Sequence, residues 1–230
     1  MIRRGFIILA LVLFGLVFAR LIGAYQEQSV LRPLAEHYVT QGPRELGAAN
    51  VITGILITYR GFDTLGEVAV LFMVAAGLGL LLRRDGDGPS VSANTPLRPA
   101  SELVVTGTEV LLPLIFVFGA YVIMHGHLSA GGGFQGGAIV ASAVLLLLVT
   151  QPLTRLRLDL LSITESFAGV LFVCIGLLGL ILAGGFLDSR FLPQGQLGAF
   201  FSAGAIPIIS ILLGIKVGAE LSVIIDRFRR

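Results

Sequence analysis

The chain has 230 residues, 55% of them hydrophobic and only 13% charged, where a soluble globular protein carries about 25% charged residues, so an ordinary soluble domain is excluded. Its net charge is only +2, and the basic residues lie at the ends of apolar runs instead of forming one patch, which argues against a nucleic-acid surface. Cys174 is the only cysteine, so neither an intrachain disulfide nor a cysteine-based metal site can form.

Crossing about 30 Å of hydrocarbon takes about 20 apolar helical residues. The first 24 residues have the basic start and apolar centre of a signal peptide, but the apolar run is too long for one and reads as a retained first span over 5–24. Residues 45–60, ELGAANVITGILITYR, are apolar but short and predict a helix lying in the outer interface. A second span follows over 64–82. The run RRDGDGPSVSANTPLRPASE, from Arg83 to Glu102, is polar and rich in Gly, Pro and Ser and predicts a linker. Four more spans follow over 103–124, 134–150, 162–183 and 199–225. The prediction is an all-α integral membrane protein with about six transmembrane helices and one short interfacial helix. It divides into a two-span unit (1–82), a cytoplasmic linker (83–102) and a four-span unit (103–230).

Ten of the fifteen arginines (Arg3, Arg4, Arg83, Arg84, Arg98, Arg155, Arg157, Arg227, Arg229 and Arg230) fall on one side of this alternation. The positive-inside rule then places both termini in the cytoplasm, at the cell membrane.

The stretch GHLSAGGGFQGG, 126–137, contains G-x-G-x-x-G at Gly131, Gly133 and Gly136. That pattern binds dinucleotides only between a strand and a helix of a soluble βαβ unit, and here both flanks are membrane spans. Gly132 with Gly136, and Gly133 with Gly137, form two overlapping G-x-x-x-G pairs that would let a neighbouring helix approach closely. The preceding residues, with His125, His127, Ser129 and Gln135 nearby, suit a polar turn or re-entrant loop.

YVIMHGHLSAGGGFQGGAIVASAVLL (121–146) resembles the signature of the MrpB (MnhB) subunit of multisubunit sodium/proton antiporters, with Ala130 where that signature carries proline. FFSAGAIPIISILLGIKVGAEL (200–221) resembles the last span of the same family. ANVITGILITYRGFDTLGEVAVLFMV (49–74) is similar to the C-terminal segment of the large MrpA subunit, which stands alone as the E component of membrane-bound hydrogenases. Such a fusion implies either an antiporter whose large partner is shortened or a hydrogenase-type complex.

Charges in hydrocarbon cost roughly 2.5–3.5 kcal/mol or more, so each ionisable residue inside a span is a candidate ion or proton site. Glu67 opens the second span, with Asp63 one turn earlier. It is either an acid offsetting the helix dipole or a protonatable relay, and the resemblance implies the relay. Lys216, the only lysine, lies near the bilayer midplane with Glu220 at i+4. The two form a structural ion pair or a proton-transfer site whose lysine is tuned by desolvation. Glu109 enters the third span at a depth similar to that of Glu220, and Glu165 lies shallowly in the fifth. His125 and His127, at i and i+2 without a further ligand, make a poor metal site and suit a solvated turn or a proton-accepting mouth.

By depth these residues run from Glu67 and the histidines, through Lys216, to Glu220, Glu109 and Glu165. With no nucleophile, redox centre or nucleotide site in view, the order supports passage of ions or protons without a cofactor, and the resemblance implies that these are Na⁺ and H⁺. The expected role is a membrane subunit of an Mrp-type antiporter, contributing to an ion or proton path and binding sibling subunits. The same module within a membrane-bound hydrogenase or related respiratory complex, and a non-conducting scaffold, are the alternatives.

Overall fold

The computed structural model describes residues 2–26, 30–82 and 100–229, so most of the expected 83–102 linker lies outside the described residues. Among the described residues the chain is helical, with no strand. Six helices are long and apolar enough to cross a membrane, and the protein is multi-pass. Contacts divide the chain into residues 1–36 and 37–230. The first unit is dominated by α1 (Ile2–Ala24), apolar on all sides and exposed from residue 4 onward, as suits a helix in contact with lipid or another protein.

After α2 (Pro33–Thr40), the expected interfacial helix takes a different form. α3 (Gly42–Leu46) stops where Gly47 adopts φ 66°, a left-handed conformation that terminates a helix. The chain restarts at α4 (Val51–Gly54), capped by the Asn50 side chain, and widens into a π-helical turn, Ile55–Tyr59. Leu46, Ala48 and Ile57 are buried in the main core, so the segment packs its apolar side chains inward.

The remaining spans are α5 (Gly61–Leu81), α6 (Glu102–Met124), α7 (Gly133–Thr150), α8 (Leu158–Ala183) and α9 (Ile206–Arg229). α9 is the centre, packed against α5, α6, α7 and α8. It starts seven residues later than the expected 199. The preceding apolar stretch is a turn in which the buried Ala203 holds φ 67° and donates its N–H to the Gln194 carbonyl at 2.8 Å.

Glycine sets how close α7 comes to its neighbours. A Cβ on Gly133 would lie 2.5 Å from the Ser210 carbonyl oxygen, and one on Gly137 2.8 Å from Val217 Cβ, both on α9. On the other side, a Cβ on Gly136 would lie 2.7 Å from the Gly119 carbonyl oxygen of α6. This close packing leaves the outward faces apolar, while the buried face of α9 carries Ser210, Lys216, Glu220, Ser222 and Asp226. A polar centre with an apolar exterior is the arrangement a lipid solvent selects.

Candidate ion-path residues

Lys216 and Glu220 lie one turn apart on α9, and their side chains meet at 2.9 Å. α8 supplies a third member, Glu165, whose carboxylate lies 3.4 Å from the same ammonium. The expectation that Glu165 is shallow is therefore corrected: α8 begins at Leu158, not at 162, so Glu165 lies two turns inside the helix and is buried. One turn further along α8, Gly169 lets the lysine stem pass, since a Cβ there would be 3.7 Å from Lys216 Cδ. The ammonium also lies 5.8 Å from the centroid of the Phe72 ring on α5.

Glu220 is fully buried and its Oε1 has no hydrogen-bond partner. A cavity of about 470 Å³ between α5 and α8, lined by Leu65, Phe72, Val173 and Cys174, reaches Lys216 and Glu165. The cluster is thus buried among helices yet borders open space. Two carboxylates against one ammonium leave one negative charge in excess, which a proton or a cation can neutralise.

Glu67 stands apart from this cluster. It is exposed on α5 and lines a cavity of about 390 Å³ with Thr53, Thr64, Gly132, Gln135 and Leu213. Asp63 lies one turn earlier on the same helix. It is exposed and paired with Arg60 at 2.5 Å.

The glycine-rich loop closes this cavity, and Asn50 holds the loop in place. The Asn50 side-chain amide donates to the carbonyls of Gly126 at 2.8 Å and Ser129 at 2.7 Å. Its own N–H donates to the His127 carbonyl at 3.0 Å, and its Oδ1 accepts from the N–H groups of Ile52 and Thr53, opening α4. Thr53 adds a bond to the Gly131 carbonyl at 3.3 Å. Within the loop, Gly132 has φ 146°, and a Cβ on Gly126 would lie 2.6 Å from Gly132 Cα. Gly132 therefore shapes the turn, whereas Gly133, Gly136 and Gly137 face neighbouring helices. Asn50 did not stand out in the sequence, although an Asn directly before an apolar VIT run is a helix-start signal.

The histidines occupy different surroundings. His125 is half-buried, stacked on Tyr121 with its Nδ1 2.9 Å from Ser129 Oγ. His127 corrects the solvated-turn expectation. It is buried, its Nε2 lies 3.0 Å from the Phe200 carbonyl, and its Nδ1 has no partner. A carbonyl only accepts, so Nε2 carries the proton. Burial holds the ring below the usual histidine range and outweighs the backbone hydrogen bond to Phe200.

Glu109 is exposed on the outer face of α6, and no hydrogen bond or ion pair joins it to Lys216, Glu220 or Glu165.

Two further ionic groups, not anticipated from sequence, lie in the short helices and in the loop before α9, and the Thr58 hydroxyl joins the two regions by donating to Ser189 Oγ at 3.2 Å. The Tyr59 hydroxyl donates to the Glu45 carboxylate, and His37 lies 3.3 Å from that carboxylate. The Tyr59 hydrogen bond holds the Glu45 carboxyl below its ordinary range. Asp188 receives the Arg190 guanidinium at 2.6 Å. Burial pulls the Asp188 carboxyl up, but the hydrogen bonds and charge of Arg190 prevail and hold it low.

A family model for the domain related to the MnhB component of the Na⁺/H⁺ antiporter matches residues 103–223, more than half of the chain. The chain belongs to the MnhB family. A second model, MbhE, which describes the E component of MBH, matches residues 2–98 of this MnhB-family chain. An uncharacterized protein of Methanocaldococcus jannaschii is 27% identical over 226 residues, covering 84% of each chain. The B component of the Na⁺/H⁺ antiporter of Bacillus subtilis is 33% identical over 81 residues, or 35% of this chain and 51% of that one. The A/B component of a probable K⁺/H⁺ antiporter of Rhizobium meliloti is 29% identical over 133 residues, 49% of this chain but only 13% of that one.

Among solved structures, a chain of the membrane-bound sulfane sulfur reductase, an archaeal respiratory membrane complex, superposes with a TM-score of 0.83 at 36% identity. It matches 99% of the MnhB-family chain and 98% of its own length. A chain of the Mrp complex from Dietzia superposes with a TM-score of 0.77 at 25% identity, covering 97% of this chain and 26% of that one.

Proposed function

We propose that the protein is a membrane subunit of a multisubunit cation/proton antiporter of the Mrp type, contributing a proton-handling site to an ion path as well as contacts for assembly. It serves transport and is not an enzyme in its own right. The observation that carries this reading is the buried Glu165–Lys216–Glu220 cluster bordering a cavity between α5 and α8. A stability-only ion pair needs one carboxylate for one ammonium. Here a second carboxylate and an unpartnered Glu220 oxygen give a protonation site inside the membrane region. The two-module division, 1–82 and 103–230 about a cytoplasmic linker, and cytoplasmic termini belong to the same proposal.

The same module working within a redox-driven respiratory complex is the second reading. It is favoured by the end-to-end match with a chain of the sulfane sulfur reductase complex, where both modules share one chain of nearly the same length. Affinity purification of the tagged chain from its native membrane separates the two by whether redox subunits accompany it.

The functional test is a mutant set in the assembled complex. Lys216→Met alone leaves two buried carboxylates unpaired and is expected to cost about 3–5 kcal/mol of stability and weaken assembly. Lys216→Met with Glu220→Gln removes most of that imbalance and is expected to assemble while pH-driven cation exchange is lost. An assembled double mutant that transports at the normal rate would reduce the cluster to a structural role and the chain to a scaffold.

A further inference from the structure

α6 carries a polar notch on its outward face. Glu109 is exposed, and so are Thr106 and Pro113, three residues before it and four after, which places them on one stripe of the helix. Val110, Leu114 and Val117 around them are apolar and exposed. Pro113, inside the helix, has no N–H, so the Glu109 carbonyl loses the donor it would have at i+4. Among the described residues, no hydrogen bond or ion pair engages the side chain of Glu109 or of Thr106.

The notch lies about 10 Å from the start of α6, well within the span. It presents a carboxylate and a freed carbonyl, both acceptors. Lipid chains supply no donors, and a carboxylate at that depth is disfavoured without one. The cations of the helical interior are engaged elsewhere: Lys216 by Glu165 and Glu220, Arg229 by Asp226, and Arg227 by the Ala75 carbonyl.

We infer that the outer face of α6 is an interface for a membrane-spanning helix of a different subunit, and that this helix places a lysine or arginine against Glu109 and the Glu109 carbonyl. Charge complementarity fixes the partner's chemistry. An ammonium or guanidinium neutralises the carboxylate, and its further N–H groups reach the carbonyl that Pro113 leaves open. The inference rests on the multisubunit reading above, and it separates Glu109 from the proton-handling cluster.

The test uses the intact complex in its own membrane, with a benzophenone amino acid in place of Thr106, one turn before Glu109 and exposed. The expected cross-link joins α6 to a spanning helix of another subunit that carries a Lys or Arg within one turn of the captured residue. Glu109→Lys should reduce co-purification of that subunit at least tenfold, and changing the captured basic residue to Glu in the same strain should restore it. Cross-links only to lipid, to a second copy or another segment of this chain, or to a helix without a basic residue overturn the inference, as does full retention of the subunit in Glu109→Lys. In those cases the complex is still recovered. A chain that purifies with no other subunit overturns the multisubunit reading as well.

Discussion

Glu67 lines a largely apolar cavity whose other polar side chains are Thr53, Thr64 and Gln135, with no cation in the lining among the described residues. Arg60 is committed to Asp63, one turn before it, and on the proposed reading the Glu67 carboxylate exchanges protons or meets a cation in the cavity. Glu67→Gln keeps size and hydrogen bonding but cannot titrate. It is expected to abolish or strongly reduce cation/proton exchange, with the complex intact by size-exclusion chromatography. Exchange at the normal rate and pH dependence would leave Glu67 as a dipole-offsetting acid only. The Lys216–Glu220 contact was legible from spacing alone, because residues at i and i+4 of a helix must meet. Glu165 was not. Counting 1.5 Å per residue gives depth along an axis, but neither the four residues by which α8 starts early nor the direction a side chain faces.

At the scale of elements, glycine and histidine govern how the loop and α7 seat against the bundle. The G-x-x-x-G pairs pointed to close packing, yet only the folded chain assigns Gly136 to α6 and Gly137 to α9 while giving Gly132 to the turn. Gly136→Ala puts a methyl group against the Gly119 carbonyl oxygen and the Ile123 nitrogen, at 2.7 and 2.9 Å, and is expected to destabilise the protein by about 1–3 kcal/mol. Gly66→Ala, on α5 with nothing within 4 Å, should be neutral or stabilising by up to about 1 kcal/mol. Thermal unfolding of both variants in detergent compares them directly.

The burial of His127 was hidden from the sequence because its partner, the Phe200 carbonyl, lies 73 residues away. Its consequence is a pH dependence of determined sign. The folded ring binds its proton less readily than the ordinary value of 6.5, so the unfolded chain takes up the proton first. Stability contributed by the neutral ring is complete above about pH 6.5 and is lost as the pH falls below it towards the folded value. Melting temperatures should drop between pH 7.5 and pH 5. His127→Gln, whose amide can still donate to the Phe200 carbonyl, should flatten that part of the profile. A variant with an unchanged slope would assign the dependence to another group.

For the whole molecule, the six spans were legible because length and hydropathy are local properties that a bilayer reads directly. The central position of α9 was not, since it follows from the four helices that surround it. That plan bears on whether the protein can work alone. α5 to α8 each bury a minority of their surface and turn the rest outward, while most of α9 is enclosed. Transporters that alternate access within one chain are built from two matched halves that rock about a central site. Here the charged cluster joins the central α9 to α8, no second half mirrors it among the described residues, and Glu67 lines a separate cavity of its own. The two cavities are separate among the described residues, and on the proposed reading neighbouring subunits supply the connection between them. Purified alone and reconstituted into liposomes, the protein is expected to show no Na⁺-dependent or K⁺-dependent collapse of an imposed pH gradient, read by a pH-sensitive dye, above that of empty vesicles. Robust exchange by the isolated chain would mean that one enclosed helix and its ring of partners suffice, and the subunit reading would fall.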